Sequence, residues 1–352
     1  MSVQYKIFNR ADVRDWIYFG KSNGLSESII SLTRANALLH CPDVKDDDIL
    51  VIAAVDGERV VGFTAIFPEH LVRPDKWIAT GTTLWVDPKY ADEFIGFNLV
   101  QRLWQSYPQY SVIGFDVARP AAMIDKLLGA SIAKYERYVF VFNRNITVRT
   151  LRNIGSLLIE PFRKYYQKKA ISYAISTIPT TCSVVARDTI DAEAYKFITQ
   201  HSNSDTFLRS QEILNWILRY PFSVENPLLS LYVKNNEFAD QTSSSSNHCL
   251  QIYDGVILVG VVLLGIRYHD VHVKMLYTDD SHREIAYACI IKLMQRYHLE
   301  RLYSIYSGLN DYIISHKLAL RDNKHNFLIT YPKEFKCLEP LVLQGIDGDM
   351  FV

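Results

Sequence analysis

The sequence lacks the signals of a secreted or disulfide-stabilised protein. It has only five cysteines in 352 residues, and no two of them form a CxxC pair. An odd number of widely spaced cysteines argues against a disulfide framework and against a zinc finger, so we expect a reducing compartment, the cytoplasm. The first sixteen residues carry charges throughout and have no apolar core, so we expect no signal peptide.

Long apolar runs and an excess of one charge are also missing. The longest apolar run, residues 255–266, is shorter than the roughly 20 residues that a helix needs to span a bilayer. Thirty-eight Lys and Arg balance thirty-eight Asp and Glu, so no net field attracts nucleic acid or anionic lipid. The sequence therefore predicts neither a membrane span nor a nucleic-acid partner, and a transferase that uses aminoacyl-tRNA is disfavoured.

The motifs of several common enzyme classes do not occur in the sequence. There is no GxxxxGK[ST] phosphate loop, no GxSxG elbow, no HExxH and no GxGxxG after a strand. One histidine pair, His269 and His272, falls within a strand pattern, where residues three apart face opposite sides of the sheet. We therefore predict no metal site.

What the sequence does contain is enough apolar material for two packed domains. Hydrophobic residues make up 49% and charged residues 22%, and the length divided by roughly 150 residues per domain gives about two domains. The first half predicts a mixed order of strands and helices, with a hairpin turn at Asp56-Gly57 and a helix C-cap at Gly129. The predicted strands are 3–8, 49–55, 60–67, 77–86, 111–117 and 135–143, and the predicted helices are 12–21, 26–39, about 88–107 and 121–128.

The second half repeats this order. Residues 254–260, DGVILVG, have the same spacing as DGERVVG at 56–62, and similar elements follow both turns. We predict domains at 1–145 and 179–352, joined by a helical linker at 146–178. The predicted strands are 183–187, 228–234, 249–253, 255–268, 271–277, 301–306 and two closing strands; the predicted helices are 191–199, 210–218, 281–297 and 311–318; and a polar loop is predicted at 235–247.

The linker itself allows two interpretations. Its helical pattern is interrupted by Pro161, and a basic run follows at Arg163, Lys164, Lys168 and Lys169. A solvated helix that packs one face on a domain is favoured over a helix that lies on a membrane surface. Phe162 is expected to belong to the packed face.

Four segments of the first half resemble a known family. Residues 82–90, TTLWVDPKY, lead into IGFNLV at 95–100; VVGF precedes them at 60–63, and AAMIDKLLGA follows at 121–130. In this order they resemble the GNAT superfamily of acyl-CoA-dependent N-acyltransferases, whose members carry V-x-P-x-Y followed by R-G-x-G-I-G-x-x-L. The resemblance implies an α/β (α+β) fold of two tandem GNAT-like domains, each a central mixed, mostly antiparallel sheet flanked by helices.

The same resemblance implies a site in the first domain. Backbone amides at Ile95, Gly96 and Phe97 would hold the pyrophosphate of acetyl-CoA or another acyl-CoA, because amides at a helix N-terminus bind anions. Leu84, Trp85 and Val86 would line the pantetheine arm. Asp125 stands where the family places an acid tyrosine and is the candidate general acid or base; Glu69 and His70 are further candidates.

The sequence departs from the family pattern at two places, which leaves two functions open. Residues 91–94, ADEF, replace R-G-x-G, so Asp92 and Glu93 would repel a pyrophosphate and Phe94 would narrow the approach to the backbone. The first function is acyl transfer, most simply acetyl transfer, to a small-molecule amine such as an amino sugar or sugar nucleotide. The second is a catalytically degenerate GNAT-fold protein that binds or scaffolds a partner.

A looser resemblance bears on the substrate. Two segments are similar to tandem acyltransferase-like proteins of bacterial surface-polysaccharide biosynthesis. One runs from Arg209 through Trp216 to Pro221, and the other is GIDGD at 345–349. Arg209, Trp216 and Asp349 are explained as well by a salt bridge, a core aromatic residue and a closing turn.

Overall fold

A computed structural model of the chain describes residues 3–19, 32–143, 154–221 and 245–349. The strands are β1 (Gln4–Asn9), β2 (Ile49–Asp56), β3 (Arg59–Arg73), β4 (Lys76–Val86), β5 (Ser111–Gly114), β6 (Ser131–Val141), β7 (Cys182–Arg187), β8 (Leu208–Arg209), β9 (Ser245–Asp254), β10 (Ile257–Arg267), β11 (Asp270–Thr278), β12 (Arg301–Ser304) and β13 (Arg321–Tyr331). The helices are α1 (Arg10–Phe19), α2 (Leu32–Leu39), α3 (Ile95–Ser106), α4 (Arg119–Leu127), α5 (Ile154–Ser176), α6 (Ala192–His201), α7 (Gln211–Arg219), α8 (Arg283–Arg296), α9 (Ser307–Ser315) and α10 (Ile346–Asp349). Among the described helices, none is long and apolar enough to cross a bilayer.

The strands form one continuous mixed sheet. Its order is β1-β2-β3-β4-β5-β13-β6-β12-β11-β10-β9-β7, and β8 pairs with β3 off this path. Neighbours are antiparallel except for the pairs β4–β5 and β11–β12, which are parallel. The two halves of the sheet therefore have the same strand order read from opposite edges: β1-β2-β3-β4-β5 from one edge and β7-β9-β10-β11-β12 from the other.

The two halves exchange their last strands at this centre. β6 belongs to the first half in sequence, yet it pairs with β12 of the second half. β13 closes the second half in sequence, yet it contacts β5 through the pair Thr330–Gly114. β6 and β13 also pair with each other along eleven residues. Each half of the sheet is therefore completed by the other half of the chain, and the boundaries at 145 and 178 remain a prediction.

Both predicted Asp-Gly hairpins are present. Gly57 and Gly255 have φ of +64° and +60°, and each is the first residue of a two-residue turn. Only glycine adopts this backbone conformation without a steric cost, which explains why the same dipeptide occurs at both turns.

The cores also cross between the halves. One core contains α1 and α2 residues together with α6 and α7 residues, and Trp216 Nε1 donates to the carbonyl of Ala37 at 2.8 Å. A second core surrounds α8, and a third lies under α3. A fourth core combines β5 and β13 with the segment that follows β13. Packing of this kind makes the halves one structural unit in the described residues.

Three predicted features are corrected by the structure. Pro161 lies inside α5 and does not end it, because the following turns are fixed to the core through Ile171 and Ala174. The polar loop predicted at 235–247 overlaps β9, which begins at Ser245; these polar residues pair through their backbones with the end of β10. Only one closing strand exists among the described residues. A 3-10 helix and α10 follow it, since Pro332 and Pro340 cannot donate to a ladder. The strand predicted at 228–234, residues 235–244 of the predicted loop, the start of the linker at 146–153 and the start of the helix at 26–39 lie outside the described residues.

Candidate active-site cleft

The parallel strands β4 and β5 part at their carboxyl ends, and we refer to the space between them as the candidate cleft. They pair from Ile78–Ser111 to Gly81–Gly114; β5 then ends, whereas β4 continues to Val86 beside β3. Ligands of mixed sheets bind beyond the carboxyl ends of parallel strands, where neighbouring strands diverge. The predicted residues Leu84, Trp85 and Val86 lie on this extension of β4 and are half-buried.

The N-terminus of α3 lies at the mouth of this cleft. The Asp87 carboxylate caps a 3-10 turn over Pro88–Glu93 by accepting from the amide of Lys89 at 3.0 Å, and it pairs with Arg59 at 2.5 Å. The turn leads through Phe94 into α3, whose first residues are Ile95, Gly96 and Phe97. The first amides of a helix have no partner within it, and the helix dipole adds partial positive charge. This end of α3 can therefore attract an anion.

Phe94 gives the turn its direction. It adopts the left-handed conformation at φ 55° and ψ 20°, directly before α3. Its side chain is 75% exposed, so it does not pack into the cleft. Phe94 occupies a position where the resembled family has glycine, and the backbone here has the conformation that glycine favours. Asp92 and Glu93 before it are exposed as well.

A glycine beneath α3 fixes the distance between helix and sheet. A Cβ at Gly62 on β3 would lie 2.9 Å from Ile95 Cγ2 and 3.1 Å from the carbonyl oxygen of Trp85. Any larger residue would therefore push the first turn of α3 away from β4. By contrast, a Cβ at Gly96 would meet only Val86 Cγ2, at an ordinary 3.6 Å.

Asp125 is buried on α4 and joins three elements. Its Oδ1 accepts from Trp104 Nε1 on α3 at 3.1 Å, and its Oδ2 accepts from Thr330 Oγ1 on β13 at 2.7 Å. Burial raises the pKa of this carboxyl, and the two hydrogen bonds oppose that rise. A raised pKa is the direction that a proton donor at neutral pH requires.

The other acid–base candidates lie apart from the cleft. Glu69 is opposite Ile78, near the beginning of β4, and is fully buried. It accepts from Arg209 Nε at 2.7 Å and from Arg209 Nη2 at 3.0 Å, while Arg209 Nη1 donates to Asp347 at 2.5 Å. His70 contacts Asp75 at 2.9 Å. The structure therefore does not bring Glu69 or His70 together with Asp125.

The equivalent cleft of the second half is occupied by the chain itself. β12 ends at Ser304, whereas β11 runs on to Thr278. Residues 344–347 lie there: a Cβ at Gly345 would be 2.0 Å from the carbonyl oxygen of Val273, and the amide of Gly345 donates to the Tyr306 hydroxyl at 2.9 Å. The helix that follows β11, α8, has a glutamate and no glycine in its first turn. The first-half cleft is therefore the better candidate.

A buried polar network holds this segment in place, and sequence reasoning missed it. The Gln344 amide donates to Asp205 at 3.0 Å, and the Tyr277 hydroxyl donates to the same carboxylate at 2.5 Å. Asp347 Oδ2 accepts from the backbone amide of Gln344 at 2.8 Å. Arg209 carried a weak signal as a potential salt bridge, but its partners lie about 140 residues away, and no local spacing identifies them.

Comparisons with known proteins identify the fold. No family model and no curated protein matches the sequence. Among solved structures, a tandem GNAT protein from the clavulanic acid biosynthesis pathway is 11% identical and has a TM-score of 0.53 over 94% of this chain and 98% of that chain. A GCN5-related N-acetyltransferase from Kribbella flavida is also 11% identical, with a TM-score of 0.50 over 94% of this chain and 70% of that chain.

These similarities bear on architecture alone, because the identities are so low. The predicted fold class, a mixed α/β sheet of GNAT type flanked by helices, is confirmed. The match covers nearly the full length of the tandem protein, which agrees with the doubled order of elements in this chain.

Proposed function

We propose that the protein transfers an acyl group from acetyl-CoA or another acyl-CoA to the amine of a small molecule. The observation that supports this proposal is the first-half cleft: two parallel strands part directly beside the N-terminus of α3. Acyl-CoA carries a pyrophosphate and an amide-rich arm. The free amides of a helix N-terminus can bind the pyrophosphate, and the backbone of an extended strand can hydrogen-bond to the amide-rich arm.

The residues of the cleft divide this work. The amides of Ile95, Gly96 and Phe97 hold the pyrophosphate, and the β4 extension at Leu84–Val86 lies along the pantetheine arm. Acyl-CoA supplies a thioester carbonyl that a neutral amine attacks, so no covalent enzyme intermediate is required. The attack forms the C–N bond of the amide and breaks the C–S bond of the thioester. The coenzyme A thiolate, whose thiol has an ordinary pKa of about 8.5, takes a proton from Asp125, the carboxyl whose pKa burial raises. The proton that the amine nitrogen loses restores the Asp125 carboxyl.

The class of acceptor is a further part of the proposal. An amino sugar or sugar nucleotide is suggested by the resemblance of the segments at 209–221 and 345–349. Two residues of those segments, Arg209 and Asp347, form a buried ion pair and so support the fold. The acceptor must therefore be identified by a screen of amines. A cytoplasmic location, predicted from the cysteines, supplies the acyl-CoA.

Two observations favour the alternative of a non-catalytic scaffold. Both oxygens of Asp125 accept hydrogen bonds within the fold, and two exposed carboxylates, Asp92 and Glu93, precede α3. Such an arrangement would preserve the GNAT-like fold in a protein that neither binds acyl-CoA nor transfers an acyl group.

Thermal unfolding with acyl-CoA separates the two functions. Ligand at about 100 times its Kd stabilises the folded state by roughly 2.7 kcal/mol, which a melting curve resolves. Gly96→Glu places a carboxylate at the proposed pyrophosphate site and should abolish the shift. The control is Gln105→Glu, which adds the same charge near the other end of α3 and should leave the shift intact.

The outcome decides between transfer and scaffold. If no acyl-CoA raises the melting temperature of the wild type, the donor site does not exist and the scaffold function remains. If ligand binds, release of free thiol in the presence of an amine panel measures transfer. Asp125→Asn should then lower the rate while the ligand-induced shift persists.

A further inference from the structure

Helix α5 presents an unusual aromatic face to solvent. Phe162, Tyr165, Tyr166 and Tyr173 are 65–68% exposed. Their spacing of three, four and seven residues places them on one side of a helix with 3.6 residues per turn. The stripe runs along roughly 16 Å of the helix axis, at 1.5 Å per residue.

The opposite face of α5 fixes this orientation. Ile171 and Ala174 are buried in the core around α8. The buried amide of Gln167 donates to the carbonyls of Phe142 and Leu318, both at 3.0 Å. The helix therefore packs one face on the fold, as the favoured interpretation of the linker expected. Phe162 does not share that packing; it points outward with the three tyrosines.

Positive charge accompanies the aromatic stripe. Arg163, Lys164, Lys168 and Lys169 belong to the same three turns, and no Asp or Glu occurs between residues 161 and 187. In a chain whose total formal charge is zero, this concentration of four cations is a local feature.

We propose that the outward face of α5 docks the protein on the surface of an anionic lipid bilayer. Tyrosine and phenylalanine rings settle at the boundary between headgroups and acyl chains, where the ring is in apolar surroundings and the hydroxyl reaches water. Lysine side chains extend their apolar stems and place their ammonium groups among the lipid phosphates. The helix would lie in the plane of the interface.

A bilayer accounts for both properties of the face at once. The rings share one side of a rigid helix, which suits a flat surface. Three exposed cations, Arg163, Lys168 and Lys169, lie on or beside that side, which suits a surface of uniform negative charge, whereas Lys164 is half-buried toward the packed face. A nucleic acid would gain from the cations and from stacking on the rings, but the chain as a whole has no excess of Lys and Arg over Asp and Glu to extend such a surface.

Vesicle flotation tests the proposal with the full-length protein. Wild type should float with vesicles of phosphatidylcholine and phosphatidylglycerol, but not with phosphatidylcholine alone, and high salt should weaken the association. Lys168→Glu combined with Lys169→Glu should lower the partition coefficient about tenfold or more. Tyr165→Ser combined with Tyr166→Ser and Tyr173→Ser should also release the protein, because it removes the rings and keeps the cations.

Matched variants control for charge and for surface polarity. Lys333→Glu with Lys336→Glu reverses two exposed cations on the 3-10 helix after β13, and Val256→Ser with Ile257→Ser removes two exposed apolar residues from the β9–β10 turn. Both should float like wild type. Circular dichroism and melting temperature verify that each variant is folded.

Several results would overturn the proposal. They are failure of wild type to float with anionic vesicles, equal flotation with neutral vesicles, or equal losses in the control variants. Tighter binding to single-stranded RNA than to vesicles, lost in the same α5 variants, would identify a nucleic-acid surface instead. A dimer in analytical ultracentrifugation that the tyrosine variant dissociates would identify contact between copies.

Discussion

Phe94 has a backbone conformation that favours glycine, and it is one of five non-glycine residues with a positive φ in the described part of the chain. A residue with a Cβ pays roughly 1–2 kcal/mol in the left-handed region, and the exposed ring recovers little of this by burial. Phe94→Gly should therefore raise the free energy of unfolding by about 1 kcal/mol, as measured by urea denaturation. Leu127→Gly, an equally exposed apolar residue in the helix α4, should lower it by a similar amount. Loss of stability in Phe94→Gly would show that the ring has a partner.

Asp347 shares one cation, Arg209, with Glu69. Burial raises the pKa of Asp347 to about 6, opposed by Arg209 and reinforced by the Glu69 charge. A folded-state pKa above the ordinary 3.8 means that the folded protein binds this proton more tightly. The resulting stabilisation is complete below about pH 4 and is lost as the pH rises through about 6.

The prediction for Asp347 is tested by a comparison of pH profiles. Between pH 4 and pH 7, the free energy of unfolding of wild type should fall relative to that of Asp347→Asn. Urea denaturation across this range measures the difference, and the exposed Asp322→Asn controls for the loss of one negative charge. A constant difference would show that Asp347 does not titrate in this range.

At the scale of elements, contact between β3 and α3 sets the position of the candidate site. Gly62→Ala forces a Cβ against Ile95 and the Trp85 carbonyl, so it should destabilise the fold by about 1–3 kcal/mol and weaken acyl-CoA binding. Gly260→Ala is the matched change in the second half, where the nearest atom lies at an ordinary 3.4 Å. That variant should be as stable as wild type. Equal effects of the two changes in urea denaturation would contradict this account.

Local elements were predictable from the sequence, whereas their partners were not. The Asp-Gly turns and the strands around them follow from short-range chemistry, and the structure contains them. Gly129, predicted as the C-cap of α4, has a positive φ but lies one residue beyond the observed cap, Leu128. The resemblance correctly identified the strand–turn–helix unit from Leu84 to Phe97. It could not indicate that Asp125 is tied to Thr330, or that Arg209 pairs with Glu69, because these contacts join residues far apart in the chain.

For the whole molecule, strand exchange makes the halves dependent on each other. A fragment of residues 1–178 lacks β13 and with it Phe327, Ile329 and Tyr331 of the fourth core. We expect this fragment to remain unfolded by circular dichroism, and the full chain to unfold in one transition seen alike by fluorescence and circular dichroism. Coexpression with residues 179–352 should restore the fragment to solution. A fragment that melts cooperatively alone would instead support two independent domains.

The strand exchange also delays the pairing of β6 during protein synthesis. β6 leaves the ribosome long before β12 and β13, the strands on either side of it, and at roughly 5–20 residues per second the wait is on the order of ten seconds. During that interval β6 is an open edge, and open edges recruit other nascent chains. Its charged residues Lys134, Glu136 and Arg137 interrupt the apolar run of this strand. These charges disfavour pairing of β6 with other chains until β12 and β13 of its own chain have been synthesised.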